Sequence, residues 1–134
     1  MNSRAKCLLV VLVAVSMIGC SSKTSQSSVS GKVTLDGQPL ANGLIDFVAV
    51  DRNSPTAQAA VTDGQFAAVV PPGEKRVEIR ATKVTGKKKV YDTPDSPTVD
   101  VVAELLPPRY NVDSTLTMTV AEGEQEKTFE LSSK

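Results

Sequence analysis

The chain has 134 residues, with 15 basic and 15 acidic side chains and a formal net charge of zero. This length suits a single domain, and the balanced charge lacks the basic excess typical of nucleic-acid-binding proteins. There is no histidine, which excludes Ser-His-Asp and Cys-His catalysis and the common zinc-protease motifs. No glycine-rich phosphate loop is present either, so the sequence predicts no enzymatic activity, metal or cofactor.

Residues 1–19 have the composition of a secretory signal peptide. Arg4 and Lys6 precede a wholly apolar run over residues 8–15, and small residues follow up to Gly19. A membrane-spanning helix needs about 20 consecutive apolar residues, and this run is much shorter. The segment therefore predicts export, and a short buried core helix is the alternative interpretation.

The signal ends at Cys20 in the sequence MIGC, which resembles the bacterial lipobox. Met17 stands where that motif usually has leucine. The resemblance implies that Cys20 becomes the first residue of the mature chain and carries lipid on its sulfur, which makes it a membrane anchor. The residue after the cysteine is Ser21 rather than aspartate, which resembles the signal for sorting to the outer membrane. The protein is then expected to face the periplasm or the cell surface. The alternative is an ordinary free or disulfide-bonded thiol.

The anchor interpretation also decides the organisation of the mature chain. Cys7 lies in the removed segment and Cys20 carries lipid, so no disulfide is expected. The polar residues after Cys20 have no apolar face and predict a flexible tether over residues 20–28, spanning about 15 Å. The folded domain is then expected to cover residues 29–134.

Alternation of apolar and polar side chains predicts β-strands with one buried face along the domain. In the segment QFAAVV, for example, Phe66, Ala68 and Val70 are in phase, so we expect Phe66 to lie between two sheets. The predicted strands are VSGKVTL (29–35), LIDFVAV (44–50), QFAAVV (65–70), KRVEIRAT (75–82), TLTMTV (115–120) and KTFEL (127–131).

Turn signals separate these strands. Asp-Gly pairs occur at residues 36–37 and 63–64, Pro-Pro-Gly at 71–73 and Glu-Gly at 122–123. Glycine supplies the positive φ that such turns need, and aspartate can bond its own backbone. About seven short strands separated in this way indicate a single small all-β sandwich with almost no helix.

Two segments resemble the carboxypeptidase regulatory-like domain, a sandwich of the transthyretin-like (prealbumin-like) or Ig-like Greek-key type. They are VSGKVTLDGQPLANGLIDFV (29–48) and TDGQFAAVVPPGEKRVEI (62–79). The matching residues are Gly31, Val33, Asp36, Gly37, Pro39, Leu40 and Gly43 in the first segment, and Thr62, Asp63, Gly64, Phe66, Pro72, Gly73, Val77 and Ile79 in the second. The whole of residues 29–131 is similar to small bacterial lipoproteins that carry this domain almost alone. The resemblance implies a scaffold, since in metallocarboxypeptidases the similar domain has no peptidase activity of its own.

Two further segments exceed what a minimal sandwich needs. GKKKVYDTPDSP (86–97) is predicted to be a long loop, either merely solvated or able to bind anionic head groups or glycans. Its acids Asp92 and Asp95 do not have the spacing of a known calcium loop. In LPPRYN (106–111), Tyr110 is expected to pack like a tyrosine corner, with an exposed Arg109–Tyr110 binding spot as the alternative. The candidate binding residues of the predicted loop are Lys87, Lys88, Lys89 and Tyr91.

The sequence therefore predicts a membrane-anchored, non-catalytic lipoprotein of a bacterial envelope. Its expected partners are the membrane, through lipid on Cys20, and an envelope protein or glycan, with no nucleic acid. One alternative is a purely structural or self-associating envelope component. A carrier of a small apolar ligand is a third possibility, but the inward residues are mainly alanine, valine, isoleucine and leucine, which predicts a filled core.

Overall fold

A computed structural model describes residues 25–134; the predicted signal peptide and Cys20 lie outside the described residues. The described chain is almost entirely β-structure, which confirms the predicted all-β sandwich class. It has ten strands rather than about seven, and one short 3₁₀ turn at Pro108–Tyr110. The strands are β1 (Ser27–Leu35), β2 (Gln38–Pro39), β3 (Asn42–Ala49), β4 (Ala57–Thr62), β5 (Gln65–Val70), β6 (Gly73–Arg80), β7 (Thr82–Lys89), β8 (Thr98–Glu104), β9 (Thr117–Val120) and β10 (Glu124–Leu131).

The main sheet contains eight strands and folds over on itself. Its order is β10-β1-β5-β4-β3-β6-β9, with β2 paired to β1. β4 and β5 share a single paired position, Thr62 with Gln65, so the sheet can bend there into two layers. Phe66 on β5 lies 6.0 Å from the ring of Phe47 on β3 and 6.0 Å from that of Phe129 on β10. These rings join the two layers across the core.

The strand phases read from the sequence place the core correctly. Phe66, Ala68 and Val70 are all buried on β5, and the other predicted strands bury their inward apolar residues in the same way, although Glu78 in the outward phase of β6 is buried too. Alternate residues point to opposite faces of a strand, so each apolar set reaches the core together. The buried apolar residues of the other predicted strands are Val29, Val33, Ile45, Phe47, Ala49, Val77, Ile79, Ala81, Met118, Val120, Phe129 and Leu131.

The two Asp-Gly turns have the backbone conformation that tight hairpins need. Asp36 and Gly37 have φ angles of 51° and 82°, and Asp63 and Gly64 have φ angles of 50° and 74°. Positive φ at both central residues matches the right-handed twist of the flanking strands. The first turn joins β1 to β2 and the second joins β4 to β5, so both turns lie where the sequence predicts them.

Among residues 25–134 one strand pair is parallel, and it contains the closest backbone approach to a glycine. β1 runs parallel to β10 over eight paired positions, with Gly31 opposite Lys127. A Cβ atom on Gly31 would lie 1.7 Å from the carbonyl oxygen of Lys127. Glycine is therefore required here because the neighbouring backbone occupies the space of a side chain.

The core also contains the charged side chain of Lys75. Lys75 follows the inward phase of β6 and is only 1% exposed. Its ammonium donates a hydrogen bond of 2.6 Å to the hydroxyl of Ser54, which lies in the connection before β4. Burying a charge raises the free energy of the folded protein unless the charge has a hydrogen-bonding partner. The hydrogen bond to Ser54 therefore offsets part of the free-energy cost of burying Lys75.

The structure corrects three of the sequence-based predictions. Ser27 and Ser28 belong to β1, so the sandwich begins two residues before the predicted boundary at residue 29. β4 was not predicted, because its alanines give little contrast between the two faces of the strand. The interpretation of residues 86–97 as one long loop is wrong, since residues 86–89 belong to β7.

Candidate functional site

The β7–β8 hairpin stands apart from the sandwich. Within residues 25–134 its two strands pair only with each other, and every residue in both strands is exposed. Its base is held by Glu104, whose carboxylate accepts hydrogen bonds from the backbone N–H groups of Ala81 at 3.0 Å and Leu106 at 3.3 Å. The N–H of Leu105 also donates to the carbonyl of Ala81 at 2.7 Å. The hairpin is thus attached at its base and open on both faces.

The hairpin leaves the sandwich at the end far from the start of β1. Ser27 at the start of β1 lies opposite Val70, the last residue of β5. The chain then enters β6 at Gly73 on this same end and runs to Arg80, a strand length of about 25 Å. β7 begins two residues later, at Thr82. The hairpin therefore starts about one strand length from the N-terminal end of the domain.

The register of the hairpin separates the three predicted binding lysines. Lys87 lies opposite Asp100, Lys88 opposite Val99, and Lys89 opposite Thr98. Opposed residues of an antiparallel pair share a face, and successive residues alternate between faces. Lys87 and Lys89 therefore lie on one face and Lys88 on the other, so the three lysines do not form the single patch that the sequence suggested.

Each face of the hairpin combines exposed valines with charge. We call the two faces A and B and define each by the residues on it. Face A consists of Lys83, Gly86, Lys88, Val99, Val101 and Ala103. Face B consists of Thr82, Val84, Lys87, Lys89, Thr98, Asp100, Val102 and Glu104. On face A the apolar residues all belong to β8 and the lysines all belong to β7, so the face is apolar along one strand and cationic along the other.

The tip of the hairpin brings Tyr91 beside two of the lysines. The N–H of Tyr91 donates to the hydroxyl of Ser96 at 2.7 Å, which shapes the connection between the strands. The Tyr91 side chain is 65% exposed. An open concavity of about 390 Å³ is lined by Lys88, Lys89, Val90, Tyr91 and Asp92. A concavity lined by a tyrosine and two lysines suits a flat or anionic group of a partner.

The acids of this connection do not build a metal site in the described part of the chain. Among residues 25–134, no group of three or more histidine, cysteine, aspartate or glutamate side chains is placed to hold a metal ion. Asp92 and Asp95 thus have no third acidic partner in that range.

The other candidate segment, residues 106–111, packs against the C-terminal residues. The Tyr110 hydroxyl is bonded to backbone, as predicted: it accepts a hydrogen bond from the N–H of Ser132 at 3.0 Å, whereas a tyrosine corner bonds backbone a few residues upstream. The guanidinium of Arg109 lies 4.9 Å from the centre of the Tyr110 ring and donates to the carbonyls of Ser132, at 2.7 Å, and of Lys134. Tyr110 and Arg109 therefore hold residues 132–134 against the domain.

Hydrogen bonds at this C-terminal contact lower two pKa values. A hydrogen bond from Arg109, followed by one from the backbone of Ser132, lowers the pKa of Tyr110. Hydrogen bonds from the side chain and backbone of Ser133 lower the pKa of Asp36. Both shifts arise because donors at the contact favour the ionised oxygen. These groups serve the packing of the chain end, which leaves the hairpin as the candidate interaction surface.

Comparisons with known proteins provide no family for this chain. No protein-family model matches it, and no curated protein matches it. Among solved structures, it aligns with a 9R-lipoxygenase from Cyanothece PCC8801 at 12% identity and a TM-score of 0.34, covering 97% of this chain and 18% of that one. The chain spans less than a fifth of that protein, and a TM-score this low does not indicate a shared fold. No helix within residues 25–134 is long and apolar enough to cross a membrane.

Proposed function

We propose that this protein is a lipid-anchored, non-catalytic β-sandwich module of a bacterial envelope, and that it binds a protein or glycan partner through the β7–β8 hairpin. The observation that carries the proposal is the exposure of this hairpin, which displays several valines and Tyr91 to solvent. Contiguous exposed apolar surface rimmed by charge is typical of interaction sites. The rest of the domain buries most of its apolar side chains in one core, and its exposed large apolar residues are Leu44, Val50, Val69 and Val112.

The position of the hairpin favours a partner away from the anchoring membrane. Lipid on Cys20 would hold the Ser27 end of the sandwich close to the bilayer, because only a few residues separate the two. The hairpin starts at the other end of β6, about 25 Å away. A protein or glycan beyond the domain is thus easier to reach than the head groups of the anchoring bilayer.

Replacing Cys20 with alanine is expected to abolish lipid attachment, because alanine has no thiol to accept the diacylglycerol. Cells that express either form would be labelled with a radioactive fatty acid, and the immunoprecipitated chain would be counted. We expect label only in the unsubstituted chain, with the variant retained as the longer precursor. Equal labelling of the two forms would rule out Cys20 as the anchor. Fractionation should place the labelled protein in the outer membrane of a two-membrane cell.

Replacing Lys87, Lys88 and Lys89 together with serine is expected to weaken binding to anionic vesicles and acidic polysaccharides severalfold. The fold should be unaffected, since changes at exposed positions usually alter stability by about 0.5 kcal/mol or less. Binding by the unsubstituted domain should also fade as salt is added, because exposed charges are screened. Co-sedimentation of residues 25–134 with vesicles or polysaccharide beads, at low and high salt, measures both effects.

The matched control for this experiment removes three lysines from the sandwich instead of the hairpin. Lys32, Lys127 and Lys134 are exposed and outside the hairpin, so their replacement with serine changes the net charge by the same amount. We expect this control to keep most of the binding. Equal losses in the two triple variants would show a general charge effect, and no binding by the unsubstituted domain at low salt would remove the lysines' proposed role.

A further inference from the structure

The two strands of the hairpin differ in how their free edges are protected. Each strand of a two-stranded sheet has one unpaired edge, which can accept a strand from another chain. β7 carries four lysines, at positions 83, 87, 88 and 89, and lysine on an edge strand opposes such pairing. β8 has no lysine or proline and displays Val99, Val101 and Val102 to solvent. Its charges are limited to Asp100 and Glu104, so its edge is the less protected of the two.

We propose that β8 pairs antiparallel with β8 of a second copy of this chain, centred on Val101. The product is a four-stranded sheet in the order β7-β8-β8-β7, with the lysine-bearing strands outermost. A pairing of this kind is self-complementary and closes after two copies. The inference rests on the hairpin being the interaction surface, as proposed above, but it does not require its lysines to bind a ligand.

The sequence of β8 is compatible with this self-pairing. Centring on Val101 places Val99 opposite Ala103 of the second copy, and Asp100 opposite Val102 of the second copy. Glu104 then lies opposite Thr98 of the second copy. No acid faces another acid, so the pairing avoids the cost of like charges at directly opposed positions.

Side chains on face A would become one continuous apolar strip in the paired sheet. Val99, Val101 and Ala103 of the two copies fill the two central strands, whereas Lys83 and Lys88 lie on the outer strands. The outer strands are about 14 Å apart, at three strand spacings, so repulsion between their lysines is strongly screened. Pairing through β7 would instead bring the lysines of both copies into adjacent strands, which charge disfavours.

Antiparallel pairing also keeps the two sandwiches apart. The two hairpins point in opposite directions, so the sandwiches lie at opposite ends of the joined sheet. Nothing in this arrangement requires the hairpin to detach from its base at Glu104. The register and the charges of β8 are therefore compatible with a second copy at the exposed edge.

A cysteine cross-link tests the register directly. In the full chain, Val101→Cys places two thiols at directly opposed positions, whose Cβ atoms are about 5 Å apart in a sheet, close enough for a disulfide after a small adjustment. We expect mild oxidation to give a covalent dimer on a non-reducing gel. Lys88→Cys, on the outer strand, is the control and should stay monomeric. The unsubstituted chain measures the background from any unprocessed chain, which still has Cys7 and Cys20 as free thiols. Equal dimer yields from the two variants, or none from Val101→Cys, would overturn the proposal.

A charge at the same position tests the assembly without a cross-link. Analytical ultracentrifugation of the full chain in a density-matched detergent should show a dimer, and Val101→Lys should raise its dissociation constant at least tenfold. Val69→Lys is the matched control, because Val69 is an exposed valine on β5 (58% exposed), and it should leave the dimer intact. A monomeric unsubstituted chain, or a dimer unaffected by Val101→Lys, would contradict pairing through β8.

The two proposals fail in different ways in these experiments. Val101→Lys retains Lys87, Lys88, Lys89 and Tyr91, so it should still bind polyanions when the dimer is lost. Loss of polyanion binding in the triple serine variant, with dimerisation unchanged, would concern the proposed partner site alone. Capture of an extended peptide by β8 in a chain that stays monomeric would replace the second copy as the occupant and overturn the self-pairing.

Discussion

Replacing Gly31 with alanine is expected to destabilise the protein by about 3 kcal/mol or more, at or beyond the upper end of the usual cost of overpacking. The added methyl group would lie 1.7 Å from the carbonyl oxygen of Lys127, which is backbone and cannot rotate away. The parallel β1–β10 pair would have to separate, and β10 carries Phe129 and Leu131 into the core. Chemical unfolding followed by circular dichroism measures the loss.

A glycine elsewhere in the sheet structure provides the control for this variant. Gly86 lies on β7, and a Cβ atom there would meet no atom within 4 Å. Gly86→Ala should therefore leave the unfolding midpoint nearly unchanged, or raise it slightly by restricting the unfolded chain. Similar midpoints for the two alanine variants would mean that β1 and β10 do not approach as closely as described.

Replacing Phe66 with alanine is expected to cost about 3–5 kcal/mol of stability. Phe66 contacts the rings of Phe47 and Phe129 at centroid distances of 6.0 Å, so its removal leaves a cavity between both layers and breaks two aromatic pairs. The free energy of unfolding of a domain of this size is only about 5–15 kcal/mol in total. The thermal midpoint should fall by at least about 10 °C.

Val69→Ala is the matched control on the same strand. Val69 points to the opposite face of β5 and is 58% exposed, so shortening it should change the stability by about 0.5 kcal/mol or less. A Phe66→Ala midpoint within a degree or two of that control would mean that β5 presents its other face to the core.

The lysines of the hairpin show which features of the candidate site could be predicted from the sequence. The residue types and their exposure could be predicted, since a run of three lysines cannot be buried without partners. Their arrangement could not be predicted, because it depends on the pairing of residue 88 with Val99 and on a bulge between Val84 and Gly86. Both strands of the hairpin are exposed on both faces, so neither carries the alternation by which strands are recognised.

Lys75 shows the same division inside the core. Its phase on β6 predicts an inward side chain, in step with Val77 and Ile79. The residue type predicts an exposed side chain instead. Only the structure shows that the ammonium donates a hydrogen bond to the Ser54 hydroxyl, which lies in a distant connection. The acceptor is 21 positions away in the sequence, so no local pattern could identify it.

The sequence by itself determined the strand phases, the Asp-Gly turns and the all-β class of this protein, because each depends on residues within a few positions of one another. The tertiary structure alone decided the parallel pairing of β1 with β10, the need for glycine at residue 31 and the separation of the hairpin from the sandwich. Each of these depends on contacts between segments far apart in the chain, such as Gly31 with Lys127. Such contacts depend on which apolar faces can pack against one another. The hairpin packs neither face against the sandwich, so both faces remain exposed to solvent.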